Sequence, residues 1–273
     1  MSKTVFIDFD GTLADHGLVP KAHIRAIQQA RTNGHHILLC TGRPKSLVPR
    51  ELRESVFDGL VCGAGVYVEI DGRVLLDTRF PDDVAARTIR ELSQPGITFI
   101  LEAPQAIWTL TGQDDKVREL FDGALWSVDP RDESYELLAA LRTADDLNGS
   151  SFGKAVVLES SEIPVDELAT EIGPAVDVIG ISVQDMGGSS GEIYLRGVNK
   201  SAGIALVAQH LGVSRSDIVA VGDGTNDAEM IAYAGTGVVV ESASDELLAL
   251  GQLTIPGPEN NGLVEGFSRL GLI

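Results

Sequence analysis

The 273-residue sequence contains few cysteines, few aromatic residues and about half as many basic as acidic residues. Both cysteines, Cys40 and Cys62, follow apolar residues, so we expect buried, reduced thiols and no disulfide framework. Lys and Arg number 21 against 40 Asp and Glu, and this deficit of positive charge argues against binding to nucleic acid or to an anionic membrane. No apolar run is long enough for a membrane-spanning helix, and no secretory leader precedes the first apolar run, which together predict a cytoplasmic protein.

The apolar residues that are present predict a large folded core. They make up 44% of the chain and the mean hydropathy is +0.11. Several short runs are continuously apolar, as in parallel strands that are buried on both faces. These runs are Val5–Ile7, Ile37–Cys40, Leu60–Cys62, Val219–Val221 and Val238–Val240. Helical segments between them, such as the one that starts after Asn199, predict an α/β fold with a Rossmann-like open parallel sheet.

The middle of the chain interrupts this alternation. From residue 81 to 188, isolated strands mix with helices, and a glycine- and serine-rich stretch at 186–191 resembles a linker. We therefore predict a discontinuous core, residues 1–80 and 189–273, with an inserted α/β domain at 81–188. The insert contains 7 basic and 21 acidic residues, so most of the net charge of −19 belongs to it.

Acidic residues follow two of the apolar runs directly. Asp8-Phe9-Asp10-Gly11-Thr12 comes after Val5–Ile7, and Gly222-Asp223-Gly224-Thr225-Asn226-Asp227 comes after Val219–Val221. In an open α/β sheet, ligands bind at the carboxyl ends of the strands. Carboxylates that meet there repel each other unless a cation joins them, and their hard oxygen atoms favour Mg²⁺. Either segment alone is also compatible with ordinary turn and helix-cap residues, but the presence of both at strand ends argues against that interpretation.

These segments resemble the first and fourth signatures of the haloacid dehalogenase (HAD) superfamily. Thr41-Gly42-Arg43 at a strand end resembles the second signature, and Lys200 at the start of a helix resembles the third. The insert and the Gly-Asp-x-x-Asn-Asp pattern are similar to the Cof-type phosphatases with an α/β cap, subclass IIB. This resemblance implies a HAD-like core with an inserted cap. One departure is Cys62-Gly63-Ala64, where that subclass commonly has Asn-Gly-Ala.

The resemblance also implies a role for each motif residue. Asp8 would be the nucleophile, Asp10 the general acid and base, and Thr41 and Lys200 would contact and neutralise the phosphoryl group. The implied phosphate- or substrate-binding residues are Gly11, Thr12, Gly42, Arg43 and Asn226, and the implied Mg²⁺ ligands are Asp8, Asp10 through its carbonyl, Asp223 and Asp227. For Arg43, a structural ion pair is an equally good interpretation.

The function expected from these residues is a Mg²⁺-dependent phosphatase that hydrolyses a small phosphomonoester, in particular a sugar phosphate, through an aspartyl-phosphate. A phosphotransferase or phosphomutase acting on a sugar phosphate is the first alternative, and a pyridoxal phosphate or flavin mononucleotide phosphatase the second. A non-catalytic sensor of phosphorylated metabolites is a third, although no motif residue is replaced. An acidic cap favours a monophosphorylated, otherwise neutral substrate over a polyphosphate. Protein partners are left open.

Overall fold

The computed structural model describes residues 2–124, 139–161, 163–179 and 190–273. The chain divides into two compact units: the first is Met1–Arg43, Val48–Leu76 and Asn199–Ile273, and the second is Pro44–Leu47 and Asp77–Val198. The predicted insert, 81–188, falls within the second unit, and its limits stay a prediction. Most of the predicted linker, residues 186–189, lies outside the described residues.

The helices and strands alternate in the first unit and mix in the second. The strands are β1 (Thr4–Ile7), β2 (His36–Cys40), β3 (Gly59–Cys62), β4 (Tyr67–Ile70), β5 (Arg73–Asp77), β6 (Ile97–Glu102), β7 (Ile107–Leu110), β8 (Leu141–Ala144), β9 (Lys154–Ser160), β10 (Val176–Ile179), β11 (Gly191–Leu195), β12 (Ile218–Gly222), β13 (Thr236–Val240) and β14 (Leu253–Ile255). The helices are α1 (Lys21–Thr32), α2 (Asp82–Leu92), α3 (Asp114–Ala124), α4 (Val165–Ile172), α5 (Lys200–Leu211), α6 (Ala228–Tyr233), α7 (Asp245–Leu248) and α8 (Gly262–Arg269).

An eight-stranded sheet forms the centre of the first unit, in the order β14-β13-β12-β1-β2-β3-β4-β5. Strand β1 pairs in parallel with β12 on one side and with β2 on the other, and Ile7 is level with Val221 and Leu39. All four side chains of β1 are buried, because alternate residues enter apolar clusters on opposite faces of the sheet. This explains the continuously apolar runs in the sequence and confirms the predicted fold class.

The second unit contains a six-stranded sheet in the order β10-β11-β9-β6-β7-β8. Its pairs are antiparallel except β7 with β8, which is parallel. The short segment Pro44–Leu47 belongs to this unit because Leu47 joins an apolar cluster that includes Ile100 and Val156. Ser46 adds a hydrogen bond from its hydroxyl to the carbonyl of Ala103 at 3.0 Å.

A buried ionic cluster lies on the sheet of the second unit. Lys154 on β9 pairs directly across from Glu102 on β6. The Lys154 ammonium lies 3.0 Å from Glu102 Oε2 and 3.2 Å from Glu192 Oε2. Burial raises the pKa of Glu102 to about 7 even though Lys154 opposes the shift. Lys154 therefore forms ion pairs with carboxylates on both neighbouring strands, β6 and β11.

A buried histidine connects the start of the first unit to its last helix. Nδ1 of His23 lies 2.9 Å from the carbonyl of Leu13, and Nε2 accepts the backbone N–H of Leu263 at 3.4 Å. This pattern requires the neutral ring, with its proton on Nδ1. Consistently, burial lowers the pKa of His23 despite the hydrogen bond to Leu13.

The free energy of unfolding is expected to fall as the pH decreases below about 6.5, in part because of His23. The unfolded chain then binds a proton that the buried ring excludes, so protonation favours unfolding. The variant His23→Asn keeps a donor near the Nδ1 position but does not titrate, and its stability should decline less between pH 7.5 and 5. Urea unfolding followed by circular dichroism measures this slope. The exposed His36 provides the control His36→Gln, and equal slopes in His23→Asn and wild type would contradict the prediction.

Within the described ranges, no helix is both long and apolar enough to cross a membrane.

Candidate active site

The predicted catalytic residues meet at the carboxyl edge of the parallel strands. The backbone N–H of Asp8 donates to the carbonyl of Val221 at 2.9 Å, and that of Thr41 donates to the carbonyl of Val61 at 2.8 Å. Both residues therefore continue the strand pairing by one step before the chain turns. Since β1 lies between β12 and β2, the loops after these three strands are neighbours.

Lys200 lies between two of the carboxylates. Its ammonium is 2.6 Å from Oδ1 of Asp8 and 2.5 Å from Oδ1 of Asp227, and only 1% of its surface is exposed. Helix α5 begins at this lysine, after Asn199 caps the helix by accepting the N–H of Ala202 at 2.8 Å. The dipole of helix α5 disfavours a cation at its first residue. Lys200 is stabilised there because Asp8 and Asp227 contact its ammonium.

The pKa values of this pair depend on burial and on mutual charge. Burial lowers the pKa of Lys200, but Asp227 and Asp8 more than reverse this effect, so that it lies well above its usual value. Burial and then the charge of Asp227 raise the pKa of Asp8 well above its usual value, although Lys200 opposes them. Lys200 therefore stays protonated between Asp8 and Asp227, and the two carboxylates together carry more negative charge than its ammonium balances.

Asp223 is positioned by the loop that follows β1. The hydroxyl of Thr12 donates to Oδ1 of Asp223 at 2.6 Å. Gly11 has a φ of +79°, and a Cβ on it would lie only 2.2 Å from Oδ2 of Asp223. A glycine is thus required both for the turn and for the approach of the carboxylate. Burial raises the pKa of Asp223 to about 6, and the hydrogen bond from Thr12 works against that shift.

Asp227 uses both of its oxygens within the protein. It is completely buried. Oδ1 accepts Lys200, and Oδ2 accepts the backbone N–H groups of Asp223 and Gly224 at 3.0 Å each. These bonds fix the turn that carries Asp223 and the ammonium of Lys200 at the same time.

Three carboxylates form a group that can hold a cation. One oxygen from each of Asp8, Asp223 and Asp227 can be chosen so that all three lie within 4.8 Å of one another. Among the described residues, Oδ2 of Asp8 and Oδ2 of Asp223 accept no hydrogen bond, so both lone pairs of each of these oxygens are open to a metal. Hard oxygens with an excess of negative charge suit Mg²⁺. The carbonyl of Asp10 stays a predicted ligand.

The segment after β2 brings the remaining predicted residues to the same edge. Oγ1 of Thr41 accepts the backbone N–H of Arg43 at 3.1 Å. The side-chain amide of Asn226 lies beside Gly42, where a Cβ would be 3.6 Å from Nδ2. Residues from the second and fourth motifs are therefore neighbours at this edge.

Arg43 contacts Asp10. Its Nε donates to Oδ2 of Asp10 at 2.8 Å, and its Nη2 donates to Oδ1 at 2.5 Å. The guanidinium carbon lies 4.1 Å from the centre of the Phe9 ring. The sequence leaves an ion pair open for Arg43 but predicts no role for Phe9. The only indication of that role in the sequence is the position of Phe9, an apolar residue between the two motif aspartates.

Comparison with known proteins identifies the family. A model of haloacid dehalogenase-like hydrolases matches residues 5–267. The chain belongs to this family. It is similar to YkrA of Bacillus subtilis, which is named as a phosphatase, with 23% identity over 100% of this chain and 99% of YkrA. It is also similar to the Escherichia coli 5-amino-6-(5-phospho-D-ribitylamino)uracil phosphatase YbjI, with 23% identity over 98% of this chain and 96% of YbjI.

Solved HAD structures share the whole fold. The subclass IIB sugar phosphatase BT4131 superposes with a TM-score of 0.80 at 21% identity, and 100% of both chains is covered. BT1666 from Bacteroides thetaiotaomicron has a TM-score of 0.75 at 21% identity, covering 100% of this chain and 96% of its own. The resemblance to capped HAD proteins is thus confirmed, as is the prediction of an enzyme of the HAD phosphatase type.

Proposed function

We propose that this HAD hydrolase is a Mg²⁺-dependent phosphatase that hydrolyses a small phosphomonoester through an aspartyl-phosphate on Asp8. The observation that carries this proposal is the ammonium of Lys200 between Asp8 and Asp227, at 2.6 and 2.5 Å. A buried cation beside a nucleophilic carboxylate can balance the charge that a phosphoryl group brings to it.

In the first step, the Asp8 carboxylate attacks phosphorus, and the bond between phosphorus and the leaving oxygen breaks. Asp10, in its protonated form, gives its proton to that oxygen, which leaves as an alcohol. Lys200 holds the nucleophile in place, and the hydroxyl of Thr41 can donate to a phosphoryl oxygen. The product is the acyl phosphate of Asp8.

In the second step, water attacks the phosphorus of the acyl phosphate. Asp10, now a carboxylate, takes a proton from the water, and the bond between phosphorus and Asp8 breaks. Inorganic phosphate leaves and Asp8 is again a carboxylate. The half-exposed Asp10 side chain is accessible to this water.

Mg²⁺, when bound, would neutralise charge on the phosphoryl oxygens. We assign it to Oδ2 of Asp8 and Oδ2 of Asp223, with the carbonyl of Asp10 as a further ligand. Asp227 orients Lys200 and the turn at Asp223 through its hydrogen bonds, and its Oδ1 keeps a lone pair with which it would serve as a further ligand. Gly11 and Thr12 shape the loop around Asp223, and Asn226 lies where it can orient the phosphate.

The proposed substrate is a monophosphorylated, otherwise neutral polyol such as a sugar phosphate. The excess of acidic residues in the insert, 21 against 7 basic, disfavours ligands with several phosphates. Two of the similar proteins are named for phosphorylated polyols, namely a sugar phosphatase and a phosphoribitylamino-uracil phosphatase. Cys40 and Cys62 are buried and form no disulfide, which supports a reducing compartment, and we propose the cytoplasm.

Removal of the metal tests the proposed chemistry. The purified protein is expected to release phosphate from 4-nitrophenyl phosphate with added Mg²⁺ and to lose that activity in EDTA, with recovery when Mg²⁺ is restored. A panel of sugar phosphates, pyridoxal phosphate, flavin mononucleotide and nucleoside triphosphates then ranks substrates by kcat/KM. Activity that persists in EDTA would contradict the metal assignment. Preference for a triphosphate would contradict the substrate class, and transfer to a sugar in place of water would identify a phosphotransferase.

A further inference from the structure

Asp10 is the exposed member of the site, and one side chain fixes it. About half of the Asp10 side chain, 48%, is exposed, whereas only 11% of the Arg43 side chain is. A planar guanidinium that binds both oxygens of a carboxylate fixes its rotation as well as its position. Among the described residues, Arg43 is the only one whose side chain hydrogen-bonds the Asp10 carboxylate. The orientation of Asp10 therefore depends on Arg43.

Arg43 is itself held from several sides. Its guanidinium stacks over the ring of Phe9, which is completely buried. Its backbone N–H donates to Oγ1 of Thr41 at 3.1 Å, and its carbonyl accepts the N–H of Gly63 at 2.8 Å. Stacking and bidentate pairing are properties of arginine that lysine does not reproduce. Arg43 is thus the rigid partner and Asp10 the one that is positioned.

We propose that Arg43 is a positioning residue that acts on the reaction through Asp10, and not as a ligand of the phosphoryl group. The inference rests on the proposed phosphatase function. The positive charge beside the nucleophile is already supplied by Lys200, whereas the guanidinium of Arg43 binds both oxygens of Asp10. A carboxylate has about four lone-pair sites, so Asp10 can bind Arg43 and still take up or deliver a proton.

Proton transfer gives this role a distinctive signature. When the bond from phosphorus to the leaving oxygen breaks, that oxygen takes the proton of Asp10. The transfer matters most when the leaving alcohol is a weak acid, and little when it is a strong one. Loss of a residue that positions Asp10 should therefore slow poor leaving groups selectively. Loss of a phosphoryl ligand should slow all leaving groups alike.

The test compares two aryl phosphates that differ in the acidity of the leaving group. Arg43→Ala, Asp10→Asn and the double variant are assayed with phenyl phosphate and with 4-nitrophenyl phosphate, and kcat/KM reports the step that transfers the phosphoryl group to Asp8. We expect Arg43→Ala to lower kcat/KM for phenyl phosphate about tenfold more than for 4-nitrophenyl phosphate. Asp10→Asn should show the same selectivity, and the double variant should lose no more than Asp10→Asn alone.

A matched arginine and a conservative variant complete the design. Arg50 is exposed and pairs with Glu54 at 2.8 Å, so Arg50→Ala should leave both substrates unaffected. Arg43→Lys keeps the charge without bidentate pairing and should retain the selective loss, which covers the case in which Arg43→Ala does not fold. Equal losses for the two substrates, no loss, or an additional loss in the double variant would overturn the inference.

The same assay separates this inference from the proposed function. If wild type hydrolyses both substrates and Asp8→Asn hydrolyses neither, the proposed function stands whatever Arg43 does. If wild type hydrolyses neither, or if Asp8→Asn is as active as wild type, the proposed function fails and the role of Arg43 fails with it.

Discussion

Asp8→Asn is expected to lower kcat/KM for 4-nitrophenyl phosphate by at least about 10⁴-fold, as removal of a catalytic nucleophile does in other hydrolases. The amide is a poor nucleophile, and it cannot pair with the ammonium of Lys200 as the carboxylate does. No acyl phosphate should form, so rapid quenching should trap phosphate on wild type and none on the variant. A variant that retains a tenth of wild-type activity would contradict the assignment.

The same substitution should not weaken the fold. Burial and the charge of Asp227 raise the pKa of Asp8, which means that its ionised form is disfavoured in the folded protein relative to the unfolded chain. At neutral pH and in EDTA, Asp8→Asn is therefore expected to unfold at a temperature equal to or above that of wild type. Thermal unfolding followed by circular dichroism measures this. Loss of activity together with retained stability would identify a residue used for catalysis and not for folding.

Asp58 offers a control with the opposite result. It pairs with Arg31 at 2.7 Å and accepts the backbone N–H of Ile37 at 2.8 Å, away from the site. Asp58→Asn should lower the unfolding temperature and leave kcat/KM nearly unchanged. If both variants lost stability equally, the loss of activity in Asp8→Asn could be ascribed to unfolding.

The strands and the meeting point of the motifs could be predicted because both follow from short-range patterns. Continuous apolar runs identify strands that are buried on both faces, and parallel strands end at a common edge. Asp8 and Asp223 each follow such a run, so their proximity requires only that β1 and β12 be neighbours, as they are. The resemblance to HAD motifs supplied the roles.

The partners within the site could not be predicted, because they depend on side-chain torsions and on loop paths. Nothing in the spacing of Thr12 and Asp223 indicates that the hydroxyl donates to the carboxylate. The sequence predicts Asp227 as a metal ligand, which stays a prediction, but does not indicate that its oxygens also accept Lys200 and two N–H groups. Likewise, the sequence does not predict that the buried Lys154 and Glu102 form a pair, because their contact depends on the antiparallel register that places them opposite each other.

These contacts also explain how the folded protein can bury several charged side chains at the candidate active site. Two carboxylates, Asp8 and Asp227, are buried with one ammonium between them, and Asp223 adds a third within reach. Buried charges are costly unless they are paired and hydrogen-bonded. The N–H groups around Asp227 and the hydroxyl of Thr12 offset part of that cost. Lys200 offsets the largest part of that cost, because among the described residues it is the only cation that pairs with Asp8 or Asp227.

Removal of that cation should damage both folding and catalysis. Lys200→Met leaves the buried carboxylates of Asp8 and Asp227 without their ammonium, and the free energy of unfolding in EDTA is expected to fall by about 3–5 kcal/mol. The activity should fall by roughly 10²–10³-fold, since a charge that stabilises the transition state is lost. Urea unfolding and the aryl phosphate assay measure the two effects.

Two further variants distinguish charge balance from simple loss of packing. Lys3 pairs with Asp217 at 2.8 Å on the surface, with about a third of each side chain exposed, so Lys3→Met should cost less than about 1 kcal/mol. In the Lys200→Met background, Asp8→Asn removes one of the two stranded carboxylates, so it should raise the free energy of unfolding by more than it does in wild type. If Asp8→Asn had the same effect on stability in both backgrounds, the two residues would act on the fold independently. The ammonium would then not be the counter-charge of the nucleophile.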